Sequence, residues 1–294
     1  MPDNSTRCVY PFHICLKGTE DAVLCRDRED YDMFVKIIFL SALAKNVLVI
    51  IYIAVSNHCH VSVLASCRED ADACGEEIKR RYSMWLNHKY SERGVMKGVS
   101  STAIAMTDRK HVRNALAYIP RNALDNGCNV NEYKWSGYRG MFCKKQVSGL
   151  RPVKSLSTRE VRTLFHTADK LSNVSWMLNP DNELEPVSCC DHDYLEQAFE
   201  RDQAYFLRTI GSLDMQETRY TLEEMPFNML CDSDFFNKVQ DVSMRWYGKK
   251  LSELTLEKKY KLLSYLYRTN KTTASQLSRV LSLDKETVKA ILRI

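Results

Sequence analysis

The sequence predicts an α+β protein in which a ferredoxin-like, split βαβ antiparallel sheet is followed by an all-α C-terminal region. Three observations support this prediction. Strand and helix patterns alternate as β-α-β-β-α-β over the first part of the chain, and one further helix follows. After about residue 145 helical patterns dominate and strand patterns nearly vanish. The last forty-odd residues form a series of short helical patterns joined by tight turns.

The first three elements have clear signals. Tyr10 to Lys17 is an apolar run that predicts a strand. Asp27 is a suitable N-cap, with Asp30 three residues later, for an amphipathic helix that continues to about Ala44. Val47 to Val55 is rich in Val and Ile, and we expect it to be a buried strand.

The next four elements complete the sheet and add a helix. His58 to Leu64 predicts a third strand, and Ala73 to Tyr90 predicts a basic helix. Ser100 to Met106 predicts the fourth strand. Asp108 then caps a helix that continues through Tyr118.

The C-terminal half is expected to be helical. Ser157-x-x-Glu160 is a capping box that begins one helix, and the preceding segment Ser148 to Ser157 has the composition of a linker. Further helices are predicted over these segments: Tyr194 to Ile210, Phe235 to Trp246, Leu256 to Tyr267, Ala274 to Leu281, and Lys285 to Arg293 with Asp284 as its N-cap.

These patterns predict three parts: a domain over residues 1–145, a helical connecting region over 146–249, and a small module over 250–294. The last two short helices, joined by Ser282-Leu283-Asp284, resemble a helix-turn-helix.

Composition bounds the function only loosely. The 294 residues include 42 Lys and Arg against 37 Asp and Glu, and a net charge of +5 permits a nucleic-acid partner without requiring one. The 11 cysteines include no C-x-x-C pair, so they suit neither a zinc site nor a disulfide framework, and they fit a reducing cytoplasm.

The polar segment 1–6 lacks the order of a signal peptide, and the longest apolar run is too short to span a bilayer. We therefore expect a cytoplasmic protein without a membrane partner.

The tripeptide His58-Cys59-His60 is a candidate metal site. Side chains alternate along a strand, so the two imidazoles point to the same face and lie within reach of one divalent ion. Imidazoles suit Mn²⁺ and Zn²⁺, and they serve Mg²⁺ when phosphate oxygens complete its shell. Taken alone, the tripeptide is more often two ordinary strand histidines.

Tyr118 and Asn122 form a second candidate pair. They are four residues apart on a predicted helix and therefore share a face. A tyrosine phenolate can attack phosphorus, and an Asn carboxamide can serve as a neutral oxygen ligand. In isolation, a tyrosine packed on an amphipathic helix is the commoner explanation, since the chain has 15 tyrosines.

Taken together, these motifs resemble those of the HUH single-tyrosine transposases. Phe12 to Gly18 is similar to their first-strand pattern Y-H-[VI]-x-x-[RK]-G, and Asn57 to Val61 is similar to N-H-x-H followed by an apolar residue. Tyr118 to Gly127 aligns without gaps on Y-I-H-L-N-P-V-R-A-G, and Trp135 to Arg139 is similar to W-S-S-Y-R. The motifs occur in the family's order across roughly residues 8–143. Within the family, the chain most resembles the REP-associated tyrosine transposases.

The resemblance implies an HUH-type nuclease fold and a role for each motif residue. His58 and His60 match the family's metal ligands, Tyr118 its nucleophile, and Asn122 a third ligand. The expected activity is nicking and joining of single-stranded or hairpin DNA with Mg²⁺ or Mn²⁺. It proceeds through a covalent 5′-phosphotyrosine, in a monomer or a homodimer.

Some positions depart from the family pattern. The residue between the histidines is Cys59, the family's N-P is Asn122-Ala123, and Pro120 is expected to bend the helix between Tyr118 and Asn122. Two alternatives therefore stay open. One is a domesticated, catalytically impaired protein that binds specific DNA sequences, and the other is a metal-dependent hydrolase of a different phosphodiester.

Two groups of residues are candidates for DNA binding. Arg80 and Arg81 lie beside Tyr82 and Trp85 on the basic helix, as in proteins that bind single strands, although a solvated helix with core-facing aromatics explains the pattern equally well. In the C-terminal module, the residues expected near a DNA groove or backbone are Lys285, Thr287 and Lys289.

Overall fold

A computed structural model describes residues 9–18, 23–142, 148–213, 218, 222, 232–269 and 272–292. The polar segment 1–6 and the predicted helix end at Arg293 lie outside this range. The chain divides into two compact units, Met1–Asp214 and Met215–Ile294.

The first unit is built on a four-stranded sheet. Its strands are β1 (Tyr10–Lys17), β2 (Leu48–Ala54), β3 (His58–Ala65) and β4 (Ser100–Ala105). Their order is β2-β3-β1-β4, and every neighbouring pair is antiparallel. The predicted α+β class with an antiparallel sheet is confirmed, and β3, which begins at His58, lies inside the sheet.

Helices cover both faces of this sheet. One face is covered by α1 (Arg28–Ala44) and α2 (Arg68–Tyr90), and the other by α3 (Arg109–Asp125). The side chain of Asp27 accepts a hydrogen bond from the backbone N–H of Asp30, as predicted for the N-cap of α1.

Helix α2 begins five residues before its predicted start at Ala73. Its N-cap is Cys67, whose side chain makes no capping hydrogen bond, so the sequence contains no cap signal there. Ala71 and Cys74 are fully buried, which indicates that tertiary packing fixes this first turn.

Alternation along β3 sorts its side chains between the two cores. Cys59, Val61 and Val63 belong to the core beneath α1 and α2. His58 and His60 point the other way, toward α3.

The outer edge of β2 is covered by a later segment of the chain. The backbone N–H of Ala54 donates to the carbonyl of Trp135 at 3.0 Å, and Ile53 forms a bridge with Ser136. Near the other end of the strand, the N–H of Asp191 donates to the carbonyl of Val49 at 2.7 Å.

The rest of the first unit is a small sheet with short helices. The sheet pairs β5 (Arg151–Pro152) with β6 (Met177–Leu178), and the helices are α4 (Thr158–Phe165), α5 (Pro186–Cys189), α6 (His192–Ala198) and α7 (Gln203–Ser212). The predicted capping box at Ser157 and Glu160 is confirmed.

Two predictions for this region are wrong. The single helix expected over Tyr194 to Ile210 is interrupted, because Glu200 and Arg201 both have φ of 57° and Asp202 starts a new helix as the N-cap of α7. The linker expected over Ser148 to Ser157 instead contains β5, and Val153 within it is buried in the main core.

The second unit is helical. Its helices are α8 (Asp232–Tyr247), α9 (Leu256–Thr269), α10 (Ala274–Leu281) and α11 (Lys285–Leu292). They share an apolar core that includes Phe235, Leu262, Leu277 and Val288. Because α8 contributes to this core, the unit begins before the module predicted over residues 250–294. Within the described residues, each helix is too short or too polar to span a bilayer.

Candidate active site

Strand β3 and helix α3 bring four predicted site residues into one cluster. The Nε2 atom of His58 lies 3.2 Å from Oδ1 of Asn122. The His58 and His60 rings have centroids 4.9 Å apart, and the edge of the Tyr118 ring meets His60 at a centroid distance of 5.2 Å. The two histidines and the two helix residues, hereafter the His–Tyr cluster, therefore face one another.

Each histidine is oriented by a hydrogen bond at its Nδ1 atom. His58 Nδ1 lies 2.8 Å from Oδ1 of Asn57, and His60 Nδ1 lies 3.1 Å from Nε2 of His13. An amide oxygen accepts hydrogen bonds only, so a proton on Nδ1 of His58 is donated to Asn57 and a proton on Nε2 is donated to Asn122. Metal binding through Nε2, the atom that approaches Asn122, requires the tautomer that carries its proton on Nδ1.

The amide of Asn122 is held in a defined orientation. Its Nδ2 group donates to the backbone carbonyls of Tyr118 at 2.9 Å and Ile119 at 3.4 Å, which directs Oδ1 toward His58. In the tautomer that carries its proton on Nδ1 of His58, two acceptor atoms, His58 Nε2 and Asn122 Oδ1, face each other. A cation bound by both would relieve this contact.

The donor set fits a divalent ion that shares its shell with a substrate. The described residues contain no group of three or more His, Cys, Asp and Glu that could hold a metal, so a site here depends on the amide of Asn122. Adjacent ligands of an octahedral ion at about 2.1 Å are about 3 Å apart, close to the observed 3.2 Å between His58 and Asn122. Two imidazoles and one amide leave several coordination positions for phosphate oxygens or water.

Burial is uneven across the cluster. Tyr118, His60 and His13 are fully buried and Asn122 is nearly so, whereas His58 is partly exposed. The cluster therefore meets solvent on the His58 side. Tyr118 is buried beside the histidines rather than away from them.

Pro120 does not interrupt the helix that carries the site. Helix α3 is continuous from Arg109 to Asp125, with Pro120 inside it and buried. Tyr118 and Asn122 both contact the histidine side of the sheet, one turn apart, despite the missing N–H of the proline. Cys59 points into the opposite core, and its burial there raises the pKa of the thiol well above its usual range.

Arg80 and Arg81 lie on α2, which packs on the other face of the sheet. Arg80 pairs with Glu77 at 2.7 Å, and Arg81 pairs with Glu77 at 2.6 Å and with Asp169 at 2.8 Å. Tyr82 and Trp85 are buried in the core, so the aromatic side chains beside these arginines face inward. The structure does not bring this group together with the His–Tyr cluster.

The three C-terminal candidates belong to α11 in the second unit. Asp284 caps this helix, because its carboxylate accepts hydrogen bonds from the N–H and the hydroxyl of Thr287, at 2.9 and 3.1 Å. Lys289 lies 3.8 Å from Glu286 on the same helix, and Lys285 is partly exposed at the first position of α11.

The sequence assigns Asn57 no role of its own, and it leaves two interpretations of His13 on the first strand: a residue that supports the metal ligands or an ordinary core histidine. The available signal for His13 was its position in the motif resembling Y-H-[VI]. The contact itself depends on strand register. Cys15 is directly opposite His60, and His13, two residues before Cys15 on β1, approaches His60 diagonally.

Comparison with known proteins yields one distant likeness. No protein-family model and no curated protein sequence matches the chain. Among solved structures, one described as a REP-associated tyrosine transposase bound to a REP hairpin is similar, with 15% identity and a TM-score of 0.36. The match covers 44% of this chain and 77% of that one.

Proposed function

We propose that this chain is a metal-dependent single-stranded DNA endonuclease and strand transferase that acts through a covalent 5′-phosphotyrosine on Tyr118. The observation that carries the proposal is the meeting of His58, His60, Tyr118 and Asn122 between β3 and α3. We also assign the sheet to the ferredoxin-like split βαβ type of HUH nucleases, because β3 lies between β2 and β1 and the chain returns to β4 beyond β1.

In this proposal, His58, His60 and Asn122 hold Mg²⁺ or Mn²⁺. When bound, the ion polarises the scissile phosphate and favours ionisation of the nearby phenol. Asn57 and His13 fix the imidazole orientations through their contacts with the Nδ1 atoms. The backbone carbonyls of Tyr118 and Ile119 do the same for the Asn122 amide.

The reaction conserves the energy of the cleaved bond. The phenol of Tyr118 loses its proton and its oxygen forms a bond to phosphorus, the bond between phosphorus and the 3′ oxygen breaks, and the released 3′ oxygen takes up a proton, so that none is gained or lost overall. A different 3′ hydroxyl can then reverse this step and join two strands.

The remaining assignments concern DNA binding. We propose that residues 250–294 act as a helix-turn-helix-like module in which Lys285, Thr287 and Lys289 approach hairpin DNA. In this scheme residues 1–145 hold the nuclease, residues 146–249 connect the two, and Arg80 and Arg81 are secondary contacts to the DNA backbone. The protein would act in the cytoplasm as a monomer or homodimer.

The decisive experiment is covalent trapping. The full chain is incubated with labelled single-stranded hairpin DNA from the flanks of its own gene and Mn²⁺, and adducts are separated on a denaturing gel. Tyr118→Phe should abolish the adduct while DNA affinity stays within about twofold, because only the attacking oxygen is removed. Tyr133→Phe is the matched control, since Tyr133 packs against the same core but its hydroxyl donates to the carbonyl of Ala54.

Full burial of Tyr118 favours one competing function, a DNA-binding protein that no longer cuts. Under this alternative, the wild-type chain binds hairpin DNA in a salt-dependent way and forms no adduct at any Mn²⁺ concentration. A metal-dependent hydrolase gives a third pattern, in which Tyr118→Phe still cuts DNA and releases free 5′ phosphate. The same gel therefore distinguishes the three functions.

A further inference from the structure

Two aromatic rings lie together on the surface of the second unit. Trp246 is on α8 and Tyr265 on α9, with centroids 4.5 Å apart and an interplanar angle of 53°. Their exposed fractions are 45% for Trp246 and 38% for Tyr265, whereas Trp85 and Trp176 are only 6% and 8% exposed. A large exposed aromatic pair is unusual, because rings of this size normally contribute to the core.

Positive side chains lie on the same two helices as this pair and just beyond α8. On α9, Lys258 and Lys261 precede Tyr265 by two turns and one turn, so the three share a face. The Nζ atom of Lys258 lies 5.0 Å from the ring of Tyr247, next to Trp246 in sequence. Arg245, in the last turn of α8, and Lys249, two residues after the helix, are exposed. Glu257 pairs with Lys261 at 2.9 Å and Asp241 lies one turn before Arg245, and positive charge remains in excess over these two carboxylates.

We propose that Trp246 and Tyr265 form a stacking platform for unpaired bases of single-stranded DNA. Partly exposed rings offer stacking surface to bases, and the lysines and arginine nearby on the same helices and beside them complement the phosphates. This charge favours a nucleic acid over an apolar protein surface, and a duplex would not present free base faces to the rings. The inference rests on the proposed function for its substrate class. It adds a binding site separate from the His–Tyr cluster and from the residues proposed on α11.

The test is fluorescence titration of the full chain with an oligonucleotide of about fifteen thymidines, in EDTA. Stacking on Trp246 should quench the exposed tryptophan emission, and Trp246→Phe should remove most of this quenching. Trp246→Ala should raise the Kd for the single strand about tenfold, measured by fluorescence anisotropy of a labelled oligonucleotide. The Kd for the same sequence in a duplex should change less than about twofold.

Met244→Ala is the matched control. Met244 is also exposed on α8, but two residues from Trp246, so it points to nearly the opposite side of the helix. Its substitution should leave the single-strand Kd unchanged, and circular dichroism should show every variant folded.

Three results would each overturn the platform: an unchanged single-strand Kd for Trp246→Ala, an equal loss for single strand and duplex, or a loss of self-association rather than of DNA binding. Because EDTA removes the metal, the titration does not depend on cleavage by Tyr118. Failure of the platform is therefore separable from failure of the proposed nuclease.

Discussion

At the scale of single residues, the histidines depend on partners outside the motif. The Nδ1 atoms of His58 and His60 are engaged by Asn57 and His13, so the site is oriented by neighbours that bind no metal in the proposed mechanism. Such partners hold the ring in position and set which nitrogen carries the proton.

His13→Ala should therefore weaken Mn²⁺ binding about tenfold or more, since His60 loses its orienting contact. The affinity can be measured by electron paramagnetic resonance of free Mn²⁺, without DNA. His13→Gln should recover part of the affinity, because its amide can still reach the Nδ1 side of His60.

The control for His13 is Cys15→Ala. Cys15 is buried on β1, the strand that carries His13, and lies directly opposite His60. The proposed mechanism gives its side chain no role in orienting the His60 ring. If Cys15→Ala and His13→Ala weaken Mn²⁺ binding equally, packing rather than orientation explains the effect.

Much of this residue-level arrangement could be predicted from sequence. Strand alternation places His58 and His60 on one face, and helical spacing does the same for Tyr118 and Asn122. For His13 the sequence offers a supporting role at the metal site only as one of two alternatives, because its meeting with His60 depends on the register between two strands separated by a helix and a hairpin. The burial of Tyr118 also depends on long-range packing that local patterns do not contain.

At the scale of elements, α2 is attached to a later segment through its charged side chains. Glu77 accepts hydrogen bonds from Arg80 and Arg81, and Arg81 also reaches Asp169. The hydrogen bond from Arg80, supported by Arg81, lowers the pKa of Glu77 to about 2 against the opposing effect of burial.

This pKa predicts how stability changes with pH. A carboxylate whose pKa falls on folding stabilises the folded state above its unfolded pKa, and that contribution is lost as the pH falls from about 4.5 toward 2. Glu77→Gln should lower the free energy of unfolding by about 1 kcal/mol at neutral pH, a value discounted for solvent screening. The difference from wild type should shrink when urea unfolding is repeated near pH 3.

Glu76→Gln provides the comparison for this effect. Glu76 is the exposed neighbour of Glu77, and the chemical change is the same. It should leave the urea midpoint unchanged at both pH values. A pH-independent loss in Glu77→Gln would show that side-chain shape, not charge, is responsible.

Element boundaries show where local signals fail. The helix caps at Asp27, Asp108 and Ser157 can be predicted from the sequence, because each presents a side-chain acceptor to a backbone N–H three residues later. The break between α6 and α7 could not be predicted in the same way, because Glu200 and Arg201 are residue types that ordinarily favour helices. Their left-handed conformation goes with a turn that closes α6, in which the N–H of Arg201 donates to the carbonyl of Glu196 at 2.6 Å.

At the scale of the whole molecule, close backbone contact joins the sheet region to the C-terminal part of the first unit. A Cβ atom on Gly140 would lie 2.6 Å from the Val187 nitrogen and 2.9 Å from the Pro186 carbonyl carbon, and it would overlap the His192 ring. Backbone cannot move aside as a flexible side chain can. Gly140→Ala should therefore lower the free energy of unfolding by about 1–3 kcal/mol, measured by urea denaturation.

Gly211→Ala is the opposite case. Gly211 lies in α7, and an added Cβ would meet nothing within 4 Å. The same substitution there should raise stability by up to about 1 kcal/mol, because alanine favours the helix. If both variants unfold at the same urea concentration, the contact around Gly140 does not constrain the fold.

The covering of β2 has a consequence for solubility. The carbonyl of Val49 and the N–H of Ala54 are satisfied by Asp191 and Trp135, which come from far later in the chain. A nascent or shortened polypeptide that lacks these segments has a β-strand edge rich in isoleucine and valine, and such an edge is a template for intermolecular pairing. Before residue 191 has been synthesised, the sheet is therefore vulnerable to aggregation. The later segments protect β2, the strand next to the one that carries the histidines, as an intramolecular chaperone would.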